Sequence, residues 1–301
     1  NRLENYTRAY VMGKLGFKSN QQITYDKLKV GIDNLNATQN FSALGYSFEK
    51  KGNEDIFKLN LVENTIKSFL RFGLHYDDLY KSGVLVNINQ KKLIFKNDVA
   101  SLDMILGDNI RYNFDYYVDN GFYWSFGIKS RYNSFNRNVV ADAQTSSIFG
   151  IDGLNSINLD FSDFSNQVYV QTIFKQKFIL GAGFEGKNIK IASETIDNLT
   201  SVFRNNNFLS VFGHLKYDSF DNFYFPHKGW YFSGNVQTFL YSSRKEEFTK
   251  FTYLKGDFGK AFPISNRVTA IAKVAGGFSI GEGQNPYFDF ILGGYGSKNI
   301  N

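Results

Sequence analysis

Ile110, Tyr112, Phe114 and Tyr116 alternate with Arg111, Asn113 and Asp115 along one short run. A period of two places the apolar side chains on one face of a strand and the polar ones on the other. The pattern returns along most of the chain. Leu70, Phe72, Leu74 and Tyr76 oppose Arg71, Gly73 and His75; Val84, Val86 and Ile88 oppose Asn87 and Asn89; Ala100, Leu102, Met104 and Leu106 oppose Ser101 and Asp103. Phe122, Trp124, Phe126 and Ile128 oppose Ser125 and Lys129. Leu209, Val211, Leu215 and Tyr217 oppose Ser210, His214, Lys216 and Asp218, and Trp230, Phe232, Val236 and Leu240 oppose Ser233, Asn235 and Gln237. Further strands are expected near 155–165, 167–176, 177–192, 247–261 and 265–281, giving about twelve in all. So many two-faced strands with no helix between them point to a closed antiparallel barrel in an outer membrane.

The energy of each register decides which face meets lipid. With the polar face outward, Arg111 would cost about 2–4 kcal/mol at the bilayer midplane, and Asp115 somewhat less; the opposite register has no such cost. Asp103, Lys216 and Arg71 follow the same rule, so the polar faces are expected to line a wet lumen. About ten residues per strand, tilted by about 40°, also match the roughly 25 Å apolar band. The soluble alternative is a β-sandwich or lipocalin-like barrel with the apolar face inward. Alternation alone does not separate the two, but aromatic content does. Phe, Tyr and Trp make up 18% of the 301 residues, with 32 Phe and 19 Tyr. Membrane barrels place such residues on the lipid face and in interfacial girdles.

Composition closes other routes. The mean hydropathy is −0.31, and no run approaches the roughly 20 apolar residues a spanning helix needs. Only three Pro interrupt the ladders, as long sheets require. The absence of Cys excludes disulfides, thiolate metal sites and Cys nucleophiles. The net charge of +6 comes from basic residues spread singly, which argues against nucleic acid as a partner. No phosphate loop opens a helix after a strand, so no cofactor is expected. The chain opens at Asn1 without a signal peptide and stops at Asn301 after a Gly-rich strand; it reads as a piece of a longer protein.

Residues 1–64 differ from residues 65–301. Tyr10–Phe17 reads as a strand. Thr24 then serves as an N-cap before Leu28, Ile32 and Leu35 at helical spacing. A short helical turn is expected near Asn40–Leu44, and a hairpin from Tyr46–Glu49 and Asp55–Val62 around Lys51-Gly52-Asn53-Glu54. The expected order is strand, helix, helix, strand, strand. The first membrane strand is expected near Ser68–Asp77.

The stretch from Asp218 to Trp230 holds Asp218, then Asp221-Asn222, Phe225-Pro226 and Gly229. This order resembles the surface-antigen barrel superfamily of BamA- and TamA-type proteins. Residues 1–64 resemble the POTRA domain that precedes such barrels. Phe290-Ile-Leu-Gly293-Gly294-Tyr-Gly296 resembles the strand leading into the family's inward-folded loop. Where that loop carries Arg-Gly and an aromatic, Tyr295-Gly296-Ser297 stands here. Tyr10–Gly16, Gly73–Gly83 and Leu106–Tyr117 look like the C-terminal region of patatin-like phospholipases of Bacteroidetes-type bacteria. The resemblance implies a mainly β fold: a small α+β POTRA domain in the periplasm, then an outer-membrane barrel with about twelve of roughly sixteen strands present. It implies a fused patatin-like lipid acyl hydrolase upstream that the barrel anchors, and translocates or displays. The alternative is an assembly, insertase or transport barrel with no attached enzyme. The partners implied are outer-membrane lipid and a fused or client polypeptide at the POTRA edge, which can take a strand by β-augmentation.

Three tempting motifs have plainer readings. Gly277-Phe278-Ser279-Ile280-Gly281 fits G-x-S-x-G, but a nucleophile elbow needs a strand, a sharp turn and a helix, and Val268–Ala275 runs straight into it. Neither an enzyme within these residues nor a passive porin is the expected function. His75, His214 and His227 fall on non-adjacent strands and a turn, and are expected to be solvated rather than catalytic or metal-bound. The lumen charges Arg71, Asp103, Arg111, Asp115 and Lys216 read as pairs filling a wet interior, and Asp218, Asp221 and Asn222 as the residues that fix a turn or lumen network.

Overall fold

Thr7 and Thr24 each open a helix. The computed structural model describes residues 3–52, 54–77, 81–121, 124–140, 156–174, 177–193, 205–222, 225–265 and 267–281. The Thr7 hydroxyl accepts from the Tyr10 N–H at 3.2 Å and starts α1, Arg8–Leu15. Gly16, at φ 79°, ends it with its N–H on Met12 O. The strand expected at Tyr10–Phe17 is therefore a helix, because the residues that bury are Val11 and Leu15, four apart. Thr24 caps α2, Tyr25–Ala37, as its spacing predicted. The two helices cross closely at Gly31, where a Cβ would stand 2.4 Å from Leu15 O.

The helical turn expected near Asn40–Leu44 is also absent. Gln39, at φ 53°, redirects the chain, and Asn64 N–H bonds to Asn40 O at 2.8 Å. The ladder thus begins at once, with β1 (Phe41–Lys51) paired to β2 (Glu54–Glu63) as the expected hairpin, lengthened at its base. Tyr6, Val11, Leu15, Leu35, Phe41 and Leu61 form the buried core of this N-terminal unit. Its observed order is helix, helix, strand, strand; the leading strand of the expected order is not present among the described residues.

Eleven strands make a second sheet: β3 Ser68–Asp77, β4 Lys81–Lys91, β5 Asp98–Gly107, β6 Arg111–Val118, β7 Ser125–Val140, β8 Ser156–Phe174, β9 Phe178–Ala192, β10 Asn205–Asp218, β11 Gly229–Ser242, β12 Phe251–Ser265 and β13 Val268–Gly281. Each pairs antiparallel with the next, in sequence order. β3 matches the expected first strand. The count falls below twelve because 155–165 and 167–176 are one 19-residue strand, β8. Ser165 and Gln167, on either side of the expected break at 166, point inward from its middle. Among the described residues β3 and β13 are the two edges of the sheet, so the closed barrel of the sequence reading is seen as an open meander. Phe122 lies outside the described residues.

The apolar face is the outer one. Leu70, Phe72, Leu74, Val168, Val170, Phe184, Val236, Val274 and Phe278 are all exposed, Leu74 at 91%. In water such a face would far exceed the few hundred Å² that a soluble monomer leaves bare; lipid is the solvent it suits. The soluble reading, with this face buried, is not what the register gives.

That polarity reverses at the end of the sheet far from the N-terminal unit. There the outward rows of β7–β10 turn to Asn136, Asn138, Asn158, Asp160, Asn188, Asn205 and Asn207, cross-linked by amide hydrogen bonds. The inward rows turn to Phe161, Ile189, Ile191, Phe208, Phe239, Phe251 and Tyr253, which pack as an aromatic cluster. Phe239 stacks on Phe251 at 4.6 Å and meets Phe208 edge-on at 5.8 Å. The sequence reading expected a polar inner face throughout. It fails here because β7–β12 run 14 to 19 residues, beyond the roughly ten that cross a bilayer. On β8 the apolar outer run from Phe164 to Phe174 already spans about 25 Å. The remainder stands in water and folds the ordinary way round.

Candidate functional site: the inward wall and the docked end

Between the lipid-facing band and the aromatic cluster lies a polar wall. Asp115 pairs with Lys129 at 3.1 Å, and the Tyr169 hydroxyl donates to Asp115 at 3.5 Å. Asp163 meets Arg131 at 3.4 Å and Lys187 at 3.6 Å. Glu185, only 3% exposed, accepts from Gln167 and, at 3.0 Å, from Gln237, which also donates to Ser210 at 2.9 Å; Lys187 stands 3.6 Å from it. Carboxylates held by several donors keep a fixed position.

The wall is kept open by glycines facing rings. Gly127 pairs with Tyr169 and Gly181 with His214 across the ladder. A Cβ at either position would stand 2.3 Å from the ring opposite, so each ring lies flat against the backbone. Above them a concavity of about 360 Å³ opens on the lumen side, lined by Lys129, Lys187, Lys216, Lys255, His214 and Gln237 among others.

Of the predicted lumen charges, Asp115 and Lys216 come to this wall. Arg111 points inward and is 5% exposed. Asp103 accepts from Asn87 on β4, and Arg71 sits at the exposed edge strand β3. Sequence reasoning missed Asp163, Glu185 and Lys187. The available signal was their alternation with the outward Val168 and Val170 on β8 and Phe184 on β9.

The Asp218–Gly229 stretch is the β10–β11 connection, at the end that carries the N-terminal unit. Asp218 accepts from Phe220 N–H at 2.9 Å, and Asn222 from Phe225 N–H at 3.0 Å. Asp221 accepts from His227 and Lys228 N–H at 2.8 and 3.1 Å. These donors, Lys228 first, hold the Asp221 carboxyl below its ordinary pKa. Pro226 is buried and Phe225 projects, 78% exposed. Gly229 has φ 110°, and a Cβ there would stand 2.3 Å from Ser219 O, so no other residue fits. Gly293 and Gly294 lie outside the described residues.

At the same end the N-terminal unit is tied to the strand turns. Lys14 pairs with Asp119 at 2.6 Å; Lys91 Nζ donates to Thr38 O at 2.9 Å and Asn40 Oδ1 at 3.2 Å; Lys96 Nζ donates to Glu4 O at 3.2 Å. Lys92 lies 4.8 Å from the Tyr6 ring, whose phenol pKa is pushed up to about 12 by burial and then by Glu63. A second concavity, also about 360 Å³, sits between unit and sheet, with Tyr10, Asn34, Asn97, Tyr117 and Asp119 on its walls.

The tempting motifs are not assembled. Ser279 sits within the β13 ladder, near its C-terminal end, paired with Tyr253 of β12. His75 is on β3, His214 on β10 and His227 in the β10–β11 turn. Among the described residues no cluster of three metal-ligating side chains occurs, and no helix is long and apolar enough to cross a membrane.

Solved structures share this architecture, BamA and CdiB among them. BamA from Haemophilus ducreyi lacking POTRA domains 1–3 matches with a TM-score of 0.61 and 14% identity, over 95% of this chain and 56% of that one. CdiB from Acinetobacter baumannii matches with a TM-score of 0.53 and 12% identity, over 93% of this chain and 51% of that one. The chain thus spans about half the length of each. No curated protein sequence matches it. The family model of the OMP85 superfamily matches residues 55–301, which includes all eleven strands of the large sheet, and the chain belongs to that superfamily of bacterial outer-membrane barrels.

Proposed function

We propose that this chain is the membrane module of a polypeptide-handling system: it anchors a protein delivered or fused on its N-terminal side and moves or displays it across the outer membrane. The observation that carries this is the docked end. Lys14–Asp119 and the Lys91 and Lys96 contacts hold the N-terminal unit beside the turns that rim the polar wall. In this reading residues 1–64 are a periplasmic POTRA-type domain and residues 65–301 the barrel. The uncovered edges of the β1–β2 hairpin offer backbone groups to a client strand, and Asp218, Asp221 and Asn222 keep the neighbouring turn in shape.

The motifs shared with patatin-like phospholipases make a lipid acyl hydrolase encoded upstream the first choice of cargo. Reading the gene upstream of Asn1 tests this. A patatin domain with its own G-x-S-x-G, whose Ser→Ala variant abolishes lipase activity while Ser279→Ala does not, is the expected result. Repeated POTRA-type units in its place would remove the hydrolase and leave the second reading, an assembly or transport barrel, which the likeness to BamA and CdiB favours.

A further inference from the structure

We propose that the β4–β5 turn is a bracket inserted in lipid: Leu93, Ile94 and Phe95 enter the leaflet on the side of the N-terminal unit, and the lysines around them hold that unit at its surface. The starting point is a charge in an oily row. Asp98 pairs with Val118, Val118 with Phe126 and Phe126 with Val170, so its carboxylate belongs to the outward face that carries the exposed Phe126 and Val170. A bare carboxylate there is costly in lipid. Asp98 is instead only 2% exposed. It accepts from Leu93, Ile94 and Phe95 N–H at 2.7, 2.8 and 2.7 Å, and from the Tyr116 hydroxyl at 2.7 Å. Lys92, at φ 57°, starts the turn, which folds back over this row, where Ala100, Tyr116 and Val118 are also buried. In place of the carboxylate the turn presents three consecutive apolar side chains, all exposed, Ile94 at 70%. Such a run is unfavourable in water and continues the lipid-facing band. The occupant that fits is a phospholipid leaflet, at the acyl level just below its headgroups.

The same turn grips the N-terminal unit. Lys92 lies over the Tyr6 ring, Lys96 donates to Glu4 O, and Lys91, at the end of β4, donates to Thr38 O. The Lys91 N–H also bonds to Lys67 O at 2.7 Å, in the connection between the unit and β3. Insertion therefore fixes the depth of the turn and, through it, the place of the unit beside the membrane. The bracket rests on the lipid face of the sheet and not on what the protein carries.

The chain has no Cys, so single cysteines take an environment-sensitive NBD label cleanly before refolding into phosphatidylcholine–phosphatidylglycerol vesicles. At Ile94→Cys the label is expected to emit blue-shifted, to be quenched by phospholipid carrying a nitroxide high on its acyl chain, and to lose quenching by iodide. Val168→Cys, on the lipid face, should read the same way. At Lys50→Cys, near the tip of the β1–β2 hairpin, the reverse is expected. An Ile94 label that behaves like the Lys50 label overturns insertion and leaves the triad to a water-borne partner. Should the first variant fail to fold, Phe95→Cys decides by the same reading. The hold on the unit is read by trypsin. In vesicles, Leu93→Ser/Ile94→Ser/Phe95→Ser is expected to speed cleavage after Lys67, separating the unit while the barrel keeps its heat-modifiable migration. Cleavage at the unsubstituted rate overturns the bracket. Should the triple variant lose that migration, Ile94→Ser alone decides.

Discussion

The N-terminal unit and the large sheet use the same two-faced strands in opposite senses. In the unit, Phe41 of β1 and Leu61 of β2 turn inward onto the helix residues Val11, Leu15 and Leu35. In the sheet, Leu74, Val170 and Phe184 turn outward, and Asp115, Glu185 and Lys187 face the centre. The far ends of β7–β12 return to the first arrangement, with Phe239 and Phe208 inside and asparagines outside. Alternation thus sets how many faces a strand has, and the surrounding solvent sets which one turns in. Water expels the apolar face at both ends of the molecule; lipid accepts it between them.

The comparison breaks most visibly at the aromatic cluster. Phe239→Ala removes its most enclosed ring and is expected to cost about 3–5 kcal/mol, read as a lower midpoint of denaturant unfolding in detergent. If the far ends were lipid-embedded like the rest, the loss would be far smaller. Leu35→Ala is expected to cost about 2–5 kcal/mol in the N-terminal unit alone. Protease sensitivity should rise in residues 1–64 while the heat-modifiable mobility of the barrel stays unchanged; joint collapse would show that the two regions fold as one.

Val168→Arg places a charge on the lipid face and is expected to cost about 2–4 kcal/mol in bilayer refolding. Asn207→Arg, also outward but in the asparagine band, should be nearly neutral. Equal costs would move the membrane boundary to the strand tips. Lys14→Ala, which removes the tie to Asp119, is expected to cost under about 1 kcal/mol, and its signature is faster amide exchange around Asp119 rather than a changed midpoint.

The smallest effect is at Asp221. Its carboxyl pKa is lowered in the folded turn, by the N–H groups of Lys228 and His227. Its contribution is therefore complete above the unfolded carboxylate pKa and is lost as pH falls through the lower folded value. Exchange protection of those two amides, corrected for the intrinsic pH dependence, should hold at neutral pH and fall only in strong acid. Asp221→Asn should abolish that dependence.

Much of the sheet was legible. β3, β9, β10 and β11 lie where alternation placed them, and outward apolar residues follow the register that lipid energetics selects. The errors have local causes. Tyr10–Phe17 alternates well enough to pass for a strand, yet the Thr7 cap and Gly16 stop make it a helix. The expected break between strands at Asn166 is absent, and β8 continues because Ser165 and Gln167 face the wet wall and Asn166 is one tolerated outward amide. Of the candidate site, Asp115 and Lys216 were readable by parity. The Tyr169 hydroxyl on Asp115 and the Gln237 amide on Glu185 were not, because each reaches its carboxylate from a strand that is not its direct neighbour.

By itself the sequence determined that strands with one oily and one wet face fill this chain, and that the Asp218–Gly229 turn resembles one superfamily. Those are properties of nearest neighbours and period. Only the tertiary structure decided that the oily face turns inward again beyond the membrane, and that glycines lie under Tyr169 and His214. It alone gathered lysines from four strands, β7, β9, β10 and β12, around one cavity. Each depends on register between strands tens of residues apart, and a one-residue slip in any pairing would invert it.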